Sequence, residues 1–302
     1  MIQLPRRREI KQQARRWMIH PMCLRVTVFF VCIQLALFGV QVLLGAIPSY
    51  GMADLSKYGD TASGLYFYEE GFSLIFRMDL TGMVLAVPLS YQQLILAAVC
   101  GVVCFLILSP LRMGAMEQYW NVFRGGQVGV NRILYWLSQP LRWGKALVVE
   151  FLLQVVVRVV GLVAMVPSLY CIYRFYQITP SMDSYSSAST LYQLSGSLLF
   201  FLAVLFTFWF HCTLLPLRYC LAAHPEYSLG QVFRRGMASV QGLHKAFFGL
   251  RSSYLLWFVF SYLTHNAMDF FVLPYSSLGS MLFLQESARA KQQAVESQDI
   301  AL

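Results

Sequence analysis

Residues 194–215 read LSGSLLFFLAVLFTFWFHCTLL and run into Pro216-Leu217-Arg218. No Asp, Glu, Lys or Arg interrupts them. A helix that crosses a bilayer needs about 20 predominantly apolar residues. Leu194 to Leu215 is therefore predicted to span a membrane, with Pro216 as its stop. Three further stretches meet the same requirement: Cys23 to Ile47 before Pro48, Tyr91 to Leu108 before Pro110, and Leu147 to Tyr173. Arg6, Arg7 and Arg8 before the first of these would suit a signal peptide. Signal-peptide cores run only about 7–15 residues, so the stretch is read as a retained helix. A last apolar block, Ser253 to Leu284, is interrupted by Thr264, His265, Asn266, Asp269 and Pro274. It is expected to be one kinked span or a hairpin of two short ones.

The whole composition agrees. Of 302 residues, 58% are hydrophobic and 12% charged, with a mean hydropathy of +0.57. A soluble chain carries roughly 25% charged residues; too few are present here to cover a water-soluble globule. A secreted disulfide scaffold, a disordered tail protein and a nucleic-acid-binding module are disfavoured. The seven cysteines lie in or beside the spans without a C-x-x-C pair, which reads as packing rather than metal or redox chemistry. No cofactor is expected.

The net charge of +9 is explained by topology. Seventeen of the 23 basic residues fall in the N-terminal segment and in the segments after the second and fourth spans. The loop 48–90 holds Lys57 and Arg77 against five acids and is rich in aromatic residues. The N-terminus and basic segments are placed on the cytoplasmic side of the cell membrane, and the acidic loop outside. That loop is read as an interfacial helix or re-entrant lid. The expected organisation is a cytoplasmic basic amphipathic helix over 1–21, a transmembrane bundle over 22–290 and a polar tail over 291–302. The fold class is all-α: a polytopic bundle of five or six spans with cytoplasmic amphipathic helices in 110–146 and 216–252.

A rough duplication runs through the bundle. Pro110-Leu111-Arg112 and Pro216-Leu217-Arg218 each follow a span, each precedes a basic amphipathic stretch, and each stretch closes on Lys-Ala, at Lys145-Ala146 and Lys245-Ala246. The order is the same in both units, which predicts a parallel internal repeat. Leu229, Val232, Phe233, Met237, Val240 and Leu243 form a helical stripe with Arg234, Arg235 and Lys245 off it. Ile10, Ala14 and Trp17 share a face flanked by Arg8, Lys11 and Arg15. Arg8, Lys11, Arg15, Arg234, Arg235 and Lys245 are thus candidate contacts for an anionic cytoplasmic leaflet, a protein partner or a second copy of the chain.

Several of these segments resemble bacterial membrane proteins of the family called "domain of unknown function 975". Arg7-Arg8-Glu9-Ile10-Lys11-Gln12-Gln13-Ala14-Arg15 is similar to that family's opening, and Ser109-Pro110-Leu111-Arg112-Met113-Gly114 to its P-L-x-x-G turn. The segment Arg218 to Ser228 resembles its short helix and "D-N-P" turn, with His224 where Asn is more usual. Arg234, Met237, Gly242, His244 and Lys245 match its "M-x-G-x-K" pattern, and Pro274-Tyr275 its late P-Y. The resemblance implies a multi-span bacterial inner-membrane protein with no assigned activity and no catalytic residues to carry over.

Ionisable groups inside a membrane are costly and are functional candidates by default. Glu150, Gln154 and Arg158 recur every four residues, and so do His265 and Asp269. Arg158 is expected to pair with Asp269 or Glu150. One reading is a proton- or solute-coupled site; the other is a buried ion pair that fixes helix register. No nucleophile, zinc or P-loop motif is present, and an enzyme is not expected. The first expectation for function is a non-enzymatic scaffold, assembly or stress-related factor working through its basic face. The second is a small-solute or lipid transporter using Glu150, Arg158 and Asp269. A lipid-modifying enzyme is a distant third.

Overall fold

The computed structural model describes residues 7–46, 51–52, 64–68, 71–78, 83–126, 128–178, 187–263 and 268–299. Four helical segments there are long and apolar enough to cross a membrane: Pro21–Leu43, Tyr91–Phe123, Pro140–Phe175 and Ser187–Ala223. In chain order the helices are α1 (Arg7–Met18), α2 (Pro21–Leu43), α3 (Tyr91–Phe123), α4 (Val130–Ser138), α5 (Pro140–Phe151), α6 (Val157–Ile178), α7 (Ser187–Ala223), α8 (Leu229–Val240), α9 (His244–Ser252), α10 (Leu255–Leu263) and α11 (Asp269–Asp299). A single π-helical turn, Leu152–Val156, joins α5 to α6.

Local chemistry sets several starts. Pro21 and Pro140 sit in the first turns of α2 and α5, where a missing amide hydrogen costs nothing. Ser90 and Gln93 make a capping box for α3, and Ser228 and Gln231 make one for α8.

Two expected stops are corrected. Pro110 and Pro216 lie inside α3 and α7, which run on to Phe123 and Ala223. A proline removes one donor and bends a helix; it need not end it when packing supports the next turns. Such packing is present: Leu111, Met113, Ala115 and Met116 after Pro110, and Leu217, Tyr219, Leu221 and Ala222 after Pro216, are all buried. At a rise of 1.5 Å per residue, α3 is about 50 Å long and α7 about 55 Å, against about 30 Å of hydrocarbon. Both helices therefore have an apolar half with exposed side chains, such as Ile95, Val99, Leu198 and Phe201, and a half packed into a second, helical layer.

That layer is built by α1, α4, α8, α9, α11 and the far ends of α3 and α7. At its centre stands α11, whose residues 274–284 are all buried. The last apolar block is thus two helices, α10 and α11, separated by residues outside the described ones. Five or six spans were expected, and the described residues contain four. The nine residues of α10 rise only about 14 Å. The apolar stretch of α11 is explained by burial in protein; a helix apolar all round is a buried helix, whatever surrounds it.

The bundle is all-helical, as expected. A second correction falls on the loop expected to be an interfacial helix or lid, which contains a four-stranded antiparallel sheet. Its strands β1 (Gly51–Met52), β2 (Gly64–Tyr68), β3 (Gly71–Met78) and β4 (Met83–Ser90) lie in the order β1-β4-β3-β2. Phe72, Leu74 and Phe76 pair with Leu89, Val87 and Leu85. Aromatic and β-branched residues favour a pleated surface, and this preference prevails over the apolar run read as helix. Pro88 pairs with Ser73 of β3 and lies beyond the short β1 pairing at Ala86 and Leu85.

Glycines fix two close helix contacts. A side chain at Gly114 would place its Cβ 2.8 Å from the Ile133 carbonyl oxygen and 2.9 Å from the Ile133 Cα, so α3 meets the backbone of α4 directly. Gly236 brings α8 against Leu217 of α7 in the same way.

Candidate functional site

Glu150, near the end of α5, is completely buried. Its carboxylate receives Arg218 of α7 in a two-pronged contact, Nε to Oε1 at 2.6 Å and an Nη to Oε2 at 2.8 Å. Arg112 of α3 donates to Oε2 at 3.4 Å, and Gln154 of the π-helical turn donates to the same oxygen at 2.6 Å. Arg218 is itself 9% exposed. One carboxylate thus ties three long helices together at the level where the apolar halves give way to the packed layer. The two guanidinium groups come from the two Pro-Leu-Arg triplets.

This arrangement revises the expected polar stripe. Glu150 and Gln154 do meet. Arg158 does not join them: the buried face of α5 and α6 follows Ala146, Val149, Glu150, Leu153 and Val157, and Arg158 is one step round from Val157 and exposed. Its expected pairing with Glu150 is corrected, because Arg218 and Arg112 hold that carboxylate. His265 and the side chain of Asp269 lie outside the described residues. Arg158→Leu is accordingly expected to cause no loss of unfolding free energy, because it leaves no buried partner unpaired, measured by denaturant titration in detergent. A loss comparable to that of an Arg218 variant would contradict this placement.

Three of its four donors converge on Oε2 and one on Oε1, so both oxygens of the buried carboxylate are held by neighbouring helices. Its chemistry is that of a strut. The functional consequence is positional: it holds the packed layer rigidly against the apolar helices.

A second carboxylate plays a similar part further out. Glu117 of α3 accepts a hydrogen bond from the Trp136 indole of α4 and pairs with Arg142 of α5 at 3.7 Å. Arg251 of α9 is buried against Ser276 and Ser280 of α11, with its guanidinium 4.7 Å from the Phe258 ring centre.

The residues expected on the basic face divide into two groups. Arg8, Arg234 and Lys245 are exposed, and so are Arg15 and Arg235, which lie over the rings of Tyr275 and Tyr227. Lys11 is partly buried: its ammonium donates to the Ser253 carbonyl at 3.1 Å and lies 4.8 Å from the Tyr254 ring centre. Burial, with Arg15 and Arg7 close by, holds its pKa below the ordinary lysine value. Of the expected apolar stripe, Val232 and Val240 are buried and Met237 and Leu243 are half-buried against the core, whereas Leu229 and Phe233 are exposed.

Read from the sequence alone, Arg112 and Arg218 are topology charges, and their structural role is not visible. A usable signal was present: the same cation stands at the same place in both repeated triplets. Among the described residues, no group of three His, Cys, Asp or Glu could hold a metal ion. Comparison of the chain with known families, curated proteins and solved structures finds no match.

Proposed function

We propose that this chain is a non-enzymatic scaffold or assembly factor of a bacterial inner membrane, working through the basic helical layer on the cytoplasmic side. The observation that carries the reading is the division of labour among the cations. Arg112 and Arg218 are committed to Glu150 inside the layer, while Arg8, Arg234 and Lys245 stand exposed around it. A rigid layer with outward cations presents a fixed pattern of positive charge to an acidic protein surface, with anionic headgroups as its setting. The two Pro-Leu-Arg units are read as a parallel duplication. Each consists of a long helix with an internal proline, a short amphipathic helix and a following helix, and each sends its arginine to Glu150. The likeness to the "domain of unknown function 975" proteins belongs to this same proposal.

The transporter reading is less well supported. It rests on Glu150, Arg158 and Asp269; Glu150 is buried and held by Arg218, Arg112 and Gln154, and Arg158 is exposed off the buried face.

The test is photo-crosslinking in intact bacterial cells from an amino acid placed at Phe233, which is 44% exposed on α8. A discrete protein adduct is expected, lost in the double variant Arg234→Glu/Lys245→Glu and retained in Arg158→Leu. An adduct indifferent to the charge reversal, or none at all, would contradict the proposal.

A further inference from the structure

The far ends of α3 and α7, the middle of α11 and one side of α8 line a cleft of about 410 Å³. That is within the range of about 300–1,000 Å³ usual for small-molecule sites. Three guanidinium groups from three different helices line it: Arg124 after α3, Arg235 of α8 and Arg289 of α11. No Asp or Glu is among its described lining residues.

Ordinary structural duties account for only part of this. Arg124 caps the carboxyl end of α3, where a cation offsets the helix dipole, and lies 4.9 Å from the Trp120 ring centre. Arg235 lies over Tyr227, whose ring stacks on His224 at 4.5 Å. Arg289 meets Glu286 at 3.0 Å, but it is 61% exposed, and such a surface pair contributes little. None of these contacts explains why three cations from separate helices meet at one concavity. Trp120, on the cleft wall, adds a buried indole N–H with no hydrogen-bond partner among the described residues.

We propose that this cleft binds a phosphoryl group carrying two or more negative charges, with Arg124, Arg235 and Arg289 as its ligands. Guanidinium groups present paired donors that match phosphate oxygens, and a cavity whose charged lining residues are all cations favours a multiply charged anion over a carboxylate. The position favours a water-borne source. Trp120 and Arg124 lie at the end of a helix about 50 Å long, some 20 Å further than the hydrocarbon reaches if Tyr91 marks the opposite boundary.

The full chain in phosphatidylcholine nanodiscs is titrated with pyrophosphate and with ATP by calorimetry. A parallel arm uses nanodiscs containing phosphatidic acid, whose headgroup is a phosphate monoester, and reads lipid retention. Saturable binding of the soluble phosphates is expected, weakened about tenfold or more by either Arg124→Gln or Arg289→Gln. Both residues are exposed, so these variants leave the packing intact. Trp120→Phe, which keeps a ring and removes the N–H, is expected to weaken binding several-fold. Arg16→Gln, exposed on α1 of the same layer and outside the cleft, is expected to leave it unchanged. Retention of phosphatidic acid that depends on Arg124 and Arg289, without soluble binding, would keep phosphoryl recognition and assign its source to lipid. Absence of binding in both arms at about 1 mM ligand, or binding indifferent to both arginines, overturns the proposal.

Discussion

Arg218→Leu is expected to destabilise the folded chain by about 3–5 kcal/mol, because it leaves Glu150 charged, buried and without its nearest counter-ion. The geometry makes the loss severe. Glu150 has no exposed surface, and Arg218 supplies two of its four hydrogen bonds, at 2.6 and 2.8 Å. Arg112 cannot substitute, since it reaches only Oε2, at 3.4 Å, and keeps its side chain 20% exposed. The double variant Glu150→Leu/Arg218→Leu should recover most of the loss. Replacing both members of a buried pair with apolar groups removes the desolvation cost together with the attraction. Denaturant titration in detergent, followed by near-ultraviolet circular dichroism, would measure all three chains. A single variant within about 1 kcal/mol of the parent, a loss too small for an uncompensated buried charge, would show that Glu150 is not held as described.

Gly114→Val should cost about 3 kcal/mol, toward the upper end of what overpacking exacts. The nearest obstacles to a new side chain are the carbonyl oxygen and Cα of Ile133, so no rotamer change can make room and α4 itself must withdraw. Its withdrawal would pull the Trp136 indole away from Glu117 as well. Gly144→Ala is the control, because a Cβ there meets nothing within 4 Å. That change should be neutral or stabilising by up to about 1 kcal/mol through helix propensity. Limited proteolysis between α3 and α4 reads the local effect and denaturant titration the global one. Equal behaviour of the two glycine variants would disprove the close contact.

The apolar character of the four long helices was legible because hydropathy reports the cost of placing side chains in hydrocarbon. Hydropathy does not report which solvent they meet. In α11 the sequence from Val272 to Leu284 looks like part of a span, yet its neighbours are other helices. Residue-level cues also lost to packing at Pro110 and Pro216, where buried turns on the far side carry the helix through. The strands in 51–90 were obscured because alternation is weak when both faces are apolar: Met83 to Leu89 reads equally as a membrane-facing segment. At the candidate site, Glu150 and Gln154 were identified from spacing. The partners of Glu150 were not, since contacts 38 and 68 residues away in the chain leave no periodic trace. Arg158 stands out over Arg218 because it lies in the middle of an apolar run. The prolines had marked Arg218 as beyond the span, when in fact the helix continues and buries it.

The strut at Glu150 also imposes a sequence of events on the growing chain. Ribosomes deliver Arg112 first, Glu150 next and Arg218 last. Of the two guanidinium groups that hold Glu150, only that of Arg112 precedes it in the chain. The closer, two-pronged contact has to wait until residue 218 has been made.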